Sequence, residues 1–206
     1  MVLTLRLREL RIEIAPATCN WSTLRTIIAP RTFEQLAAAH RARFSQGMVE
    51  CRICGAGCGS DLPAMERAEL HEFWVYNDAS GFRTLDGVAL ICPRCHEVLH
   101  MPLALRKGRG GYALAHLREV NGWSYAEALA HLGEAFTAWE VRSKQTWLTN
   151  LLPINLPEAA YAVASLDDLS FAEEQLAAKG SRNLAIRTLQ LQADPVTDGY
   201  AHQENH

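Results

Sequence analysis

Two cysteine turns, Cys51-x-x-Cys54 and Cys92-x-x-Cys95, constrain this chain more than any other feature. Such a turn brings two thiolates to bear on one ion, and two turns together make the tetrahedral sulfur set that zinc prefers. The 37 residues between the pairs read as a hairpin. One structural zinc would then tie the beginning of that hairpin to its end and supply much of the folding free energy of a unit poor in core residues. Neither pair lies between a strand and the helix of a thioredoxin-like unit, which argues against redox chemistry. Cys58 is the alternative ligand, and Cys19 reads as a small buried hydrophobe.

The surrounding pattern sets the order of elements. MVLTLRLRELRIEI, at the start, alternates with a period of two and predicts a strand, and residues 15–30 read as loop. TFEQLAAAHRARFSQG predicts a helix, with Thr32 and Gln35 at capping-box spacing. AELHEFWVYN predicts a strand, DASG a turn and FRTLDGVALI a returning strand, after which residues 93–100 open a short helix. Helices are expected over 111–120, closed by Asn121-Gly122, and over 124–144, opened by Ser124 and Glu127. LLPINLP marks a boundary before an Ala/Leu-rich helix near 166–178 and a mobile tail.

The histidines suggest a second ion. His96 and His100 are four apart and share one face of a helix, where their ring nitrogens could grip a cation together. They do not fit into a zinc shell already filled by four sulfurs. His71 and Glu72, on the strand before the turn, could bring a further ligand and a base to the same volume.

On these residues the chain resembles the HNH endonucleases of the four-cysteine, zinc-stapled ββα-metal kind. The likeness is carried by Cys51-x-x-Cys54, Glu69-Leu70-His71-Glu72 and Leu90-Ile91-Cys92-x-x-Cys95-His96-x-x-x-His100. NWSTLR, HEFWVYND, LREVNGW and AFTAWEVRSKQTW look like segments of bacterial and phage members, so the resemblance spans roughly residues 3–150. It implies an α+β fold, a ββα-metal core with structural zinc surrounded by helices. It also implies an endonuclease that hydrolyses DNA phosphodiester bonds with Mg2+, Mn2+ or Ni2+, RNA not being excluded. Cleavage of that kind needs an activated oxygen nucleophile and a cation on the developing charge. His71, His96 and His100 are the candidate ligands of the catalytic ion.

The chain departs from the family pattern in two places. Many members carry His-His where this chain has His71-Glu72. Either Glu72 replaces the base, which requires burial to raise its pKa, or His71 is the base and the ion is held by His96, His100 and a carboxylate. Many members also place an asparagine where this chain has Gly87, with Asn77 and Asp86 as substitutes. These departures favour a second reading, a zinc-stabilised nucleic-acid-binding or assembly module with a degenerate nuclease centre.

Composition limits the partners. Residues 1–110 carry 14 Lys/Arg and 11 Asp/Glu, and residues 111–206 carry 6 and 12. The first half is the better match for a polyanion, but not with the basic patch of a dedicated sequence-specific binder. Arg83, Arg94, Arg106, Lys107 and Arg109 flank the proposed site as phosphate contacts, with a solvated charged surface as the equal alternative. Phe73, Trp74 and Tyr76 read as hairpin core, Trp123, Phe136, Trp139 and Trp147 as packing for the helices, and His40 and His116 as structural or surface residues. The expected organisation is an N-terminal strand and helix over 1–50, the HNH core over 51–105, a helical wrap over 106–150 and an acidic extension over 151–206. No apolar run approaches the roughly 18 residues of a membrane span, and reduced cysteines without an export signal point to the cytoplasm.

Overall fold

The first cysteine turn is closed by its own small hairpin. In the computed structural model, which describes residues 9–19, 23–27, 30–31, 33–34, 38, 42, 49–58 and 68–150, Val49–Glu50 (β1) pairs antiparallel with Gly57–Cys58 (β2). Between them Cys51 N–H donates to Ala56 O at 2.7 Å and Gly55 N–H to Cys51 O at 2.9 Å. Gly55 has a φ of +76°, a left-handed turn that side chains disfavour. The turn is fastened to the main sheet through Arg52 N–H, which donates to Leu90 O at 3.2 Å.

The main sheet has three strands. Glu69–Asn77 (β3) and Phe82–Ile91 (β4) form the expected antiparallel hairpin, joined through Gly81 at φ +69°. Asn77 Oδ1 accepts from Ala79 and Ser80 N–H at 3.2 and 3.1 Å and so shapes the turn. The register shifts between Phe73 and Trp74, which pair with Gly87 and Leu85, so Asp86 is the extra residue of a bulge. Leu148–Asn150 (β5) adds a parallel strand beside Phe82–Thr84.

Alternation divides this sheet into two faces. On one face His71, Phe73, Ala89 and Ile91 meet the helices. On the other lie Glu72, Trp74 and Val88, of which Glu72 accepts from Leu24 N–H of the short helix Leu24–Ile27 (α1). Helix α2, Pro93–Leu99, follows β4 directly, with Cys92 as its N-cap and Pro93 at its start, where a missing N–H costs no hydrogen bond. Helix α3, Met101–Arg106, turns away at His100, and Pro102 in its first turn cannot continue the α2 ladder. Helices α4, Gly110–Asn121, and α5, Tyr125–Arg142, complete the helical layer. Cys51, Cys58, Cys92, Cys95, Phe73 and Ile91 share one core with Val98, Leu99, Met101, Ala104 and Leu117.

The observed helices α4 and α5 follow the expected capping signals. Gly122 ends α4 in the left-handed conformation at φ +70°, and Ser124 and Glu127 make both hydrogen bonds of a capping box. The N-terminal strand is a correction as far as the described residues reach, because residues 9–16 form no strand. Helix side chains and one helix carbonyl meet their backbone instead, Glu13 N–H donating to Leu99 O at 3.3 Å. Leu10 N–H and O pair with the Asn121 side chain at 3.1 and 2.7 Å, and Ile12 N–H donates to His131 Nε2 at 3.0 Å. Residues 15–30, expected as loop, contain the 3-10 turn Ala17–Cys19 and α1. The helix expected at 32–47 lies mostly outside the described residues, as do His40, the helix near 166–178 and the tail.

Candidate metal centres

Four sulfurs converge where the two cysteine turns meet. Those of Cys51, Cys54, Cys92 and Cys95 all lie within 4.8 Å of one another. Four sulfurs placed tetrahedrally about 2.3 Å from a zinc ion sit about 3.8 Å apart, and the Cys54 and Cys92 sulfurs are 3.7 Å apart. The cluster is therefore consistent with a structural zinc site. Its backbone is prepared for negative charge, since Cys95 N–H points at Cys92 Sγ at 3.4 Å. Cys58 is set apart: its thiol donates to Ala56 O at 3.4 Å, and burial pushes its pKa up to about 11. Cys19 is buried away from the cluster.

The second group lies on the strand–helix face beside the first. One ligand nitrogen each from His71, His96 and His100 falls within 4.8 Å of the others. The rings stand edge to face, with centroids 5.2 Å apart for His71 and His96, 5.1 Å for His71 and His100, and 4.5 Å for His96 and His100. His100 N–H donates to His96 O at 3.0 Å, so helical spacing is kept between the two despite the bend at His100. Burial, with His100 and His96 nearby, pushes His71 down to about 3. The His100 residue is exposed as a whole, yet burial of its imidazole and the nearby His96 push it down to about 4. Both are neutral imidazoles near pH 7, the form that binds a cation. Glu69, two residues before His71 and on its face, accepts from His96 Nδ1 at 2.6 Å. That leaves the opposite ring nitrogen of His96 for an ion, as in a carboxylate–histidine–metal triad.

Other candidate residues lie elsewhere. Glu72 points to the opposite face of β3, where both carboxylate oxygens accept from Leu24 N–H at 2.9 and 3.0 Å. Burial raises its pKa, but at the end of α1 rather than among the histidines. Asn77 is spent on the hairpin turn, and Asp86 is the exposed bulge residue. Arg83 is 2% exposed, lies 4.4 Å over the Trp74 ring and donates to Thr149 Oγ1 at 2.8 Å, so no phosphate reaches it. Arg94 pairs with Glu119 at 2.7 Å, and Arg109 pairs with Glu97. Arg106 and Lys107 are exposed near the end of α3.

The roles of two contributors were not read from the sequence. Glu69 carries a signal in its i, i+2 relation to His71, which puts both on one strand face. His116 has none: of its two expected roles, structural or surface, it takes the structural one, buried on α4 with its Nε2 3.3 Å from Cys95 Sγ. No helix among the described residues is long and apolar enough to cross a membrane. No family model, no curated protein and no solved structure matches the chain.

Proposed function

We propose that the protein is a metal-dependent endonuclease of the HNH kind, hydrolysing phosphodiester bonds of DNA. The observation that carries this reading is the convergence of His71, His96 and His100 on one ββα face beside the four-cysteine cluster. A divalent ion bound there would activate a water and neutralise charge on the phosphate and the departing 3′ oxygen. The chain's own contribution is to hold that site. His71 comes from β3, His96 from α2 and His100 from the C-cap of α2, and Glu69 fixes the His96 ring. The cysteine cluster sits at the end of β4, where Cys92 follows Ile91 and Arg52 N–H bonds Leu90 O. Glu72 is left out of the chemistry, because its hydrogen bonds with Leu24 occupy it on the far face.

A second reading has observations of its own. Gly87 offers no side chain to orient a base, Glu72 is engaged elsewhere, and three of the five flanking cations are buried or paired. A zinc-stabilised nucleic-acid-binding or assembly module would keep the cluster and need no catalysis.

Supercoiled plasmid separates the two readings. Zinc-loaded protein is incubated with it in Mg2+, Mn2+ or Ni2+, and His96→Ala is run beside wild type. Nicked circles are expected with wild type, and at least about 100-fold slower nicking with the variant. Folded wild type that leaves the plasmid intact in all three metals, or equal rates for both proteins, would sink the nuclease reading.

A further inference from the structure

His116 is a buried imidazole that the proposed hydrolysis does not use. It sits on α4, 4% exposed, with Nε2 3.3 Å from the sulfur of Cys95. Its Nδ1 is also buried, without a hydrogen-bond partner among the described residues, and faces the Glu119 carboxylate at 3.5 Å. Glu119 in turn receives Arg94, which lies inside the second cysteine turn. Helix α4 thus grips the Cys92–Cys95 turn twice, once at a sulfur in the core and once at a surface ion pair.

We propose that His116 is a positioning residue of the four-cysteine cluster, whose Nε2–H donates to the Cys95 sulfur, fixes that ligand and disperses its negative charge. Four thiolates round a divalent ion leave a net charge of −2, and Cys95 is 0% exposed, so solvent does not stabilise its share. A metal-bound thiolate keeps lone pairs that accept N–H donors, and a buried ring nitrogen needs a partner. The arrangement meets both needs at once. The inference rests on reading the cluster as a zinc site, and it is independent of nuclease activity.

The test uses the full chain and three substitutions. In His116→Gln the amide nitrogen takes the place of Nε2, in His116→Asn it reaches only the place of Nδ1, and His116→Phe has no donor. Zinc retention is measured by competition with a chromophoric chelator, and the sulfur-to-metal charge-transfer band is read after cobalt substitution. His116→Asn and His116→Phe are expected to release zinc about 10- to 100-fold more readily than wild type, with a shifted cobalt band. His116→Gln should keep both close to wild type. Equal behaviour of Gln and Asn would reduce His116 to packing and overturn the proposal, as would wild-type retention and an unshifted band in Phe. Should Phe fail to fold, the Gln–Asn pair decides. Wild type that binds no zinc through its cysteines would overturn the cluster reading and this inference together, whatever the plasmid assay shows.

Discussion

Adjacent residues, His71 and Glu72, are assigned opposite work by the pleat of one strand. His71 faces the helices and is 7% exposed, whereas Glu72 binds the first turn of α1. Glu72→Gln keeps an acceptor oxygen for Leu24 N–H, so plasmid nicking should stay within a few-fold of wild type. A loss of about 100-fold or more would return the role of base to Glu72. His71 makes a prediction about pH. Its folded pKa of about 3 lies below the roughly 6.5 of an unfolded histidine. The unfolded chain therefore binds the extra proton first, and stability is lost as pH falls from about 6.5 toward 3. The full effect is at most about 5 kcal/mol, a tenth-power ladder of about 1.4 kcal/mol for each pH step. Urea titrations of wild type and His71→Phe between pH 7 and 5 should show a shallower slope for the variant. Equal slopes would mean that His71 is not the buried neutral group. At this scale the candidate metal ligands were legible because their spacing is local, as in Cys51-x-x-Cys54 and His96-x-x-x-His100. The roles of Glu72, Arg83 and His116 were not, because Leu24, Thr149 and Cys95 reach them across 48, 66 and 21 positions of sequence.

At the scale of elements, the hairpin and α2 were legible almost to the residue. Alternation and turn chemistry act within a few positions, as in Glu69–Asn77, the turn through Gly81, and Phe82–Ile91. The short pieces were not. β1 and β2 have two residues each, too few for a period, and β5 exists because Leu148 N–H finds Gly81 O at 2.8 Å. These elements give the two candidate metal groups different exposure and different ligand chemistry. Three cysteines of the cluster are buried, whereas His96 is half-buried and His100 exposed. Stripping should therefore occur in two steps. Brief treatment with EDTA is expected to abolish nicking while far-ultraviolet circular dichroism stays unchanged, and added Mn2+ should restore activity. Thiol modification that ejects the cysteine-bound zinc should collapse the hairpin and α2 irreversibly, since metal binding and folding are coupled in such units. Simultaneous loss of structure and activity in EDTA would mean that a single ion serves both groups.

Over the whole molecule, the question is where a polyanion would meet the histidine face. The charge balance of the first half is spread thinly, and the structure removes three of its flanking cations from easy use. Arg83 is buried under Trp74, Arg94 is held by Glu119 and Arg109 by Glu97. Arg106 and Lys107 have no ion pair among the described residues and lie just past the bend at His100, on the chain that leaves the site. Each phosphate neutralised by such a side chain contributes about −0.9 to the slope of log affinity against log salt on duplex DNA. Replacing Arg106 and Lys107 together with Ala should therefore make that slope shallower by about 2, measured by fluorescence anisotropy between 50 and 200 mM salt. Arg83→Ala provides the contrast. It removes a buried cation–π contact and the hydrogen bond with Thr149, so it should lower unfolding stability by about 2–3 kcal/mol. The salt slope of the folded fraction should not change. If the double variant kept the wild-type slope, or Arg83→Ala altered it, the phosphate path would not run beside His100, and the placement of DNA over the histidine face would fail with it.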